Sequence, residues 1–530
     1  MINTVKAMKK TISAIYQKLR TIPGLDWIVL GIGLVIFALL TLATITKSSI
    51  WFDEAFGAYL IHFNFLDVAR YTATDVHPPL YYWLLKIWTS IFGTDELGLR
   101  SMSLVFGASA ITFGYLTVRR LFGRKSAWAS LLLLVLSPML IRYGQEARMY
   151  TLAATIALAA TFVLTFAVKS KRKLPWIIYG ILVALGMWTH YFMAFVWISH
   201  WVWRAIVVRQ SGVRGREFKK AFLTKNWIMA HIIAVAIFVP WLPLMLIQLT
   251  AIQGGGFWIG PVGADTITSY LTNVLFYQDH DVAPGWYGAA LAVIVVMLTV
   301  FGIKLYRMLG KKQRQSYLLI LTLAIVPVLG LAIVSLPPLR SSFVERYLMP
   351  SIVGFSLVAG VTLALGMAKL RRVWQVIGIG IIVVSMLFGI SNVYYYGNYN
   401  KNSHTKVTTG DIVKRIQAIA TPGEPIIVSD PYVFYEAVFY NTTDHPIYFI
   451  DADTVYNSSS LDMLKYNDQH KIKDLTAFVT QHSDVWYMGY SAGQPLSPPA
   501  NTNWKQLQNF SIFDQIDNQD PYKAVEFQTN

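Results

Sequence analysis

The stretch KSKRKLPWIIYGILVALGMWTHYFMAFVWISHWVWRAIVVRQSGVRGREFKK, residues 169–220, decides how the chain is threaded. Its apolar middle, 175–208, is far longer than one crossing of a bilayer whose hydrocarbon is about 30 Å thick, and both its ends are strongly basic. Lys and Arg collect on the cytoplasmic side of membrane segments. One continuous helix would put the two basic ends on opposite sides. Two short helices, 175–189 and 191–208, meeting at Thr189-His190-Tyr191, put them on the same side. We read the stretch as such a pair.

Working outward from it, further apolar stretches lie at 27–46, 99–118, 126–141, 149–168, 227–249, 286–303, 317–336, 348–367 and 374–394, which makes eleven. Every second connection is basic: Lys6, Lys9, Lys10, Lys18 and Arg20 before the first span, then 119–125, 169–173, 204–225, 304–314 and 369–372. Together these hold 28 bases against only Asp26 and Glu217. The other connections of the membrane region hold eight bases and eleven acids. The bias predicts a cytoplasmic N-terminal segment, 1–26, and an extracytoplasmic C-terminus. The first span reads as a signal-anchor, because its basic lead is long and no small-residue cleavage pattern follows.

Composition agrees with that reading. The 530 residues are 55% hydrophobic and 14% charged, with no cysteine. Average globular chains carry about 25% charged residues. The missing cysteines exclude disulfides, thiol catalysis and cysteine-ligated metal. The net charge of +17 is then an orientation signal rather than a mark of nucleic-acid binding. Beyond 394 the character changes, with nine bases, fifteen acids and no spanning run. Strand-like runs at 425–430, 446–451 and 484–489 alternate with helix-like segments at 409–420 and 461–481, which predicts a small α/β domain over 395–530. The expected fold class is an all-α polytopic membrane protein of about eleven transmembrane helices, residues 27–394, with this domain outside the membrane.

The threading sorts the ionisable residues onto one face. The first outward loop, 47–98, holds Trp51-Phe52-Asp53-Glu54-Ala55 and Asp75-Val76-His77-Pro78-Pro79-Leu80. Two prolines suit the first turn of a helix, here an amphipathic one from Tyr81 to Phe92. Arg100 opens the second span. Later outward turns hold Gln145, Glu146 and Arg148, then His190 and Tyr191, then Asp279-His280-Asp281, then Glu345, Arg346 and Tyr347. Ionisable groups at a membrane are costly, so each is a functional candidate. Each also has a plainer reading. Asp53 and Glu54 suit a helix N-terminus, Glu146 and Arg148 suit a structural ion pair, and Asp279-His280-Asp281 suits a solvated loop better than a metal site.

The combination of an Asp-Glu pair after span one, Asp75-x-His77-Pro78-Pro79-Leu80, a Glu-x-x-x-Arg entry to span two (Glu96, Arg100), Gln145-Glu146-Ala147-Arg148-Met149-Tyr150 and Glu345-Arg346-Tyr347-Leu348 resembles one family. It is the GT-C class of membrane glycosyltransferases, in the branch of bacterial protein O-mannosyltransferases and the aminoarabinose transferase of lipid A. The likeness covers about 27–370, and the lysine usual on that family's Pro-Pro helix has no clear match beyond Lys86.

The resemblance implies a polyprenyl-phosphate sugar donor, a hexosyl or pentosyl group, and inverting transfer to a protein, lipid or polysaccharide acceptor at the outer face of the cell membrane. It implies Asp53 as general base. Arg100, Arg148 and Arg346 would meet the phosphate. Glu54 would hold the loop or an acceptor group. Asp75, His77, Gln145, Glu146, His190, Tyr191 and Tyr347 would line the substrate site. No cofactor is required by the pattern, and a divalent metal would fall to Asp75 and His77. A transporter or flippase of lipid-linked saccharides is the alternative. The charge at one face, rather than at the midplane of broken helices, favours the enzyme.

Overall fold

The computed structural model describes residues 24–529 except 255–258, 264, 278–284, 397–398, 401–404, 407, 452–460, 462, 465–467, 491–495, 500–501 and 513–521. The segment 1–23 and Asp279, His280 and Asp281 therefore lie outside the described residues. Most of the rest is helix. Among the described residues, eight helices are long and apolar enough to cross a membrane: Leu25–Leu42, Glu96–Phe122, Tyr150–Ala167, Lys225–Thr250, Gly285–Met308, Lys311–Val334, Glu345–Gly366 and Arg372–Tyr395. A ninth crossing arises if the bent pair Arg124–Val135 and Pro138–Gly144 counts as one span. The chain is a multi-pass membrane protein.

The pair at 169–220 forms as expected. Helices Leu174–Thr189 and Met193–Arg209 meet at His190, whose extended backbone (φ −161°, ψ 131°) breaks the run. Close contact near the tip depends on Gly186, where any Cβ would stand 2.4 Å from the Trp197 ring. The stretch 126–141 departs from expectation. It bends by 55° because Ser137 leaves the helix, caps the next one through its hydroxyl on the Leu140 N–H, and is followed by Pro138 in a first turn. The bend precedes the turn that carries Gln145, Glu146 and Arg148.

Between the first two spans run three shorter helices, Phe52–Leu60, Phe65–Thr74 and Leu80–Phe92. Asn64 caps the second through its side-chain oxygen on the Leu66 and Asp67 N–H groups. The third starts behind Pro78 and Pro79, as the sequence predicts.

After the last span come β1 (Tyr399–Asn400) and β2 (Thr405–Lys406), an antiparallel pair. A six-stranded sheet follows, from β3 (Ile426–Val428), β4 (Ile447–Ile450), β5 (Lys471–Ile472), β6 (Asp484–Tyr490), β7 (Lys505–Ile512) and β8 (Tyr522–Gln528). The order is β5-β4-β3-β6-β8-β7. β3 runs parallel to β4 and β6, whereas β8 is antiparallel to β6 and β7. Strands β3, β4 and β6 and helix Thr409–Ile419 fall where the sequence places them. No single helix covers 461–481: that region holds a short turn of helix at Asp468–His470, β5, and helix Leu475–Val479.

This C-terminal part sits on the first loop. Helix Pro431–Tyr440 lies along Phe52–Leu60, with Tyr432 4.8 Å from Phe52 and Tyr435 5.1 Å from Tyr59 between ring centroids. The Ile50 N–H donates to the Tyr440 oxygen at 2.7 Å, the Tyr440 hydroxyl donates to Glu96, and the Gly410 N–H donates to the Ser49 hydroxyl at 3.1 Å. The helix that carries Asp53 and Glu54 is thus packed against the C-terminal part.

Candidate active site

Asp53 and Glu54 are both in the first turn of Phe52–Leu60, about 100° apart around its axis, and they meet different partners. Glu54 turns inward. Arg100 donates to its two oxygens at 2.8 and 2.7 Å, and the Ala147 N–H donates to one of them at 2.8 Å. The remaining Arg100 donors go to the carbonyls of Ile45, Ser48 and Ser49. Burial opposes the charge on Glu54, but Arg100 and the Ala147 N–H outweigh it and hold the carboxyl below its usual range. Arg100 therefore has no N–H left for a phosphate. Glu54 and Arg100 hold the loop, and the geometry does not offer either to a substrate.

Asp53 is about a fifth exposed and lies between two other guanidinium groups, 3.6 Å from Arg148 and 3.8 Å from Arg346. Arg148 also donates to the Asp53 carbonyl at 3.2 Å and to the Tyr82 hydroxyl at 3.0 Å, while its Nε–H has no protein partner. Arg346 faces the rings of Trp51, Tyr150 and Tyr347 at 5.5, 5.8 and 5.9 Å. Glu146 does not pair with Arg148; Arg142 holds it at 2.9 Å, and burial raises its carboxyl above the usual range. Gln145 donates to the Thr41 carbonyl and the Thr44 hydroxyl, both at 2.9 Å, and so braces the end of the first span.

His77 and His190 come together from turns far apart in sequence. Their ring centroids are 5.3 Å apart, and Tyr347 packs on both, at 6.3 and 4.8 Å. Burial and then Arg148 depress both imidazoles, His190 to about 3 and His77 well below the usual range. Both are neutral at physiological pH. Nδ1 of His190 accepts the Phe192 N–H at 3.3 Å, which leaves the proton on Nε2, a buried nitrogen without a protein partner. Asp75 is buried beside this pair and Tyr191 follows it; both contact Gln248.

An arrangement of two arginines, one carboxylate and neutral imidazoles can hold an anionic phosphate and accept a proton near it. It does not suit a cation. His77 faces Arg148 and Arg346, which repel one, and among the described residues no group of three or more His, Asp or Glu side chains could ligate a metal.

The chain resembles known proteins in sequence and in fold. The family model described as dolichyl-phosphate-mannose-protein mannosyltransferase matches residues 76–243. An undecaprenyl phosphate-alpha-4-amino-4-deoxy-L-arabinose arabinosyl transferase from Pseudomonas savastanoi is 24% identical over 168 residues, which is 31% of this chain and 30% of that protein. The chain thus aligns with under a third of that relative. In structure the likeness extends over nearly everything: ArnT from Cupriavidus metallidurans superposes with a TM-score of 0.60 at 13% identity, over 95% of this chain and 98% of ArnT. Its form bound to undecaprenyl phosphate gives 0.59.

The chain has a GT-C glycosyltransferase fold. Within it, Lys86 does not reach the cluster, since its ammonium donates to the Ile61 carbonyl at 2.6 Å. Three residues of the cluster escaped the sequence reading. Tyr82 and Tyr150 lie within motifs already noted, but which face they present is not set by spacing alone. Gln248 sits in an apolar run with only its polarity as a signal. An apolar cavity of about 700 Å³ runs between spans, lined by Tyr270, Leu291, Ile294, Leu321, Phe355 and Met386. Asn273, on the helix that lines it, donates to Glu345 at 3.1 Å, next to Arg346.

Proposed function

We propose that the chain moves a sugar from a polyprenyl-phosphate donor to an acceptor at the extracytoplasmic face, with inversion and Asp53 as general base. The observation that carries this reading is the position of the Asp53 carboxylate between Arg148 and Arg346. A carboxylate beside paired guanidiniums joins a base to a phosphate site within one cluster. In a single displacement the acceptor oxygen attacks the anomeric carbon opposite the phosphate, and its proton passes to Asp53. The anomeric C–O bond breaks with its electron pair on the phosphate oxygen, where Arg148 and Arg346 stabilise the growing charge. The apolar cavity, lined in part by the helix whose Asn273 donates to Glu345, suits the polyprenyl tail.

The helices Leu174–Thr189 and Met193–Arg209 are 16 and 17 residues long. Counting both as crossings, with the bent pair as one, gives eleven. An odd count puts the two ends on opposite faces, and the Lys and Arg bias then favours a cytoplasmic N-terminus with the sheet-bearing part, 395–530, outside, over the site mouth. A protein, lipid or polysaccharide acceptor would be selected there.

The test is reconstitution of the purified protein in liposomes with a labelled polyprenyl-phosphate sugar and candidate acceptors. Label on an acceptor with release of polyprenyl phosphate is the expected result. Movement of intact labelled lipid between leaflets, without bond cleavage, would replace this reading with a flippase.

A further inference from the structure

Gln248 lies on helix Leu242–Gly254, whose neighbouring side chains Leu246, Ile247 and Leu249 are exposed on an apolar surface. Gln248 alone among these four is turned inward, 4% exposed. A buried amide without partners is costly, so its contacts matter. Its Nε2 donates to two carbonyls, Thr72 at 2.8 Å and Asp75 at 2.5 Å. Its Oε1 accepts the Tyr191 hydroxyl proton, and the Tyr191 oxygen accepts the Trp241 indole N–H at 2.7 Å.

The two ends of this network bracket the imidazole pair. Asp75 is two residues before His77, and Tyr191 directly follows His190. We infer that Gln248 is a positioning residue: one side-chain amide fixes the Asp75–His77 segment to the His190–Tyr191 tip, and so sets the imidazoles beside Arg148 and Arg346. The inference rests on the donor site proposed above. A primary amide is what the place needs, with two donors for two carbonyls and one acceptor for a hydroxyl. Glutamate would turn lone pairs against both carbonyls. Leucine would take one donor from each carbonyl and the acceptor from the Tyr191 hydroxyl proton.

The experiment measures undecaprenyl phosphate binding to the full-length protein in nanodiscs, by tryptophan fluorescence, beside transfer kinetics with a labelled polyprenyl-phosphate sugar. Gln248→Leu and Gln248→Glu are expected to weaken binding about tenfold, which is 1.4 kcal/mol, and to raise the donor KM more than they lower kcat. Tyr191→Phe should give a smaller loss of the same kind. The double change Gln248→Leu with Tyr191→Phe should cost no more than Gln248→Leu alone, because both act through one network.

A purely structural role predicts instead a smaller active fraction with wild-type Kd and KM, and that result overturns the inference. Additive losses in the double variant overturn it too. If Gln248 variants do not fold, Tyr191→Phe decides alone: wild-type binding there is the overturning result. Wild-type protein that fails to bind undecaprenyl phosphate sinks the donor reading itself, a separate outcome visible before any variant is made.

Discussion

Two carboxylates one residue apart meet arginine in opposite ways. Glu54 and Arg100 form a bidentate pair at 2.7 and 2.8 Å, with every guanidinium N–H engaged. Asp53 stands 3.6 and 3.8 Å from Arg148 and Arg346, beyond hydrogen-bond length, and Arg148 keeps an unpartnered Nε–H. A buried pair whose donors and acceptors are all matched can only be broken at a loss. A loose pair can exchange partners with an incoming anion. The first therefore builds the site, and the second remains able to act.

The largest expected effect separates the two carboxylates directly. Asp53→Asn should lower kcat by about 10²–10⁴, the usual contribution of a general base. Insertion and the thermal unfolding midpoint should stay near wild type. Near wild-type turnover in Asp53→Asn would remove Asp53 from the chemistry.

The arginines sharpen the contrast. Arg100→Met strands the Glu54 carboxylate in the interior and should destabilise the protein by about 3–5 kcal/mol, read as lost folded yield and a lowered unfolding midpoint. Arg148→Lys keeps charge but loses the planar fork. It should weaken undecaprenyl phosphate binding roughly tenfold while the unfolding midpoint moves little. The opposite pattern, with Arg148→Lys unfolding the protein and Arg100→Met changing only affinity, would invert the comparison.

A third carboxylate gives an effect that depends on pH. Glu436, on helix Pro431–Tyr440, accepts the Thr409 hydroxyl; burial pushes it up to about 8, against that hydrogen bond and with Glu54 adding to the rise. A raised folded value means the stabilisation is complete below the unfolded value, about 4.3. It is lost as pH climbs through about 8, at up to about 1.4 kcal/mol per unit. Protection of Pro431–Tyr440 from hydrogen exchange should fall over that window, and Glu436→Gln should flatten the slope. An unchanged slope in that variant would assign the dependence elsewhere.

Much of the fold was legible because membrane threading is written in runs of apolar residues and in the placement of Lys and Arg. The break at His190 follows from length and charge alone. The bend at Ser137-Pro138 carried a local signal, yet the apolar run across it hid that signal. Strands β7 and β8 lack a clean alternation and went unread. At the site, Asp53, Arg148, His190 and Arg346 were found because polar residues stand out at the ends of apolar spans. Their partners were not, since pairing Glu54 with Arg100 rather than with a substrate is decided by contacts across 46 residues, and Gln248 reaches Asp75 across 173.

The seat of Tyr440 has a consequence for biosynthesis. The Ile50 N–H, three residues before Asp53, finds its acceptor 390 residues later. A ribosome has then made most of the chain before the helix that bears Asp53 gains its outer packing. Until the segment that carries Tyr440 has been made and seated, the start of that helix lacks the partner that anchors it.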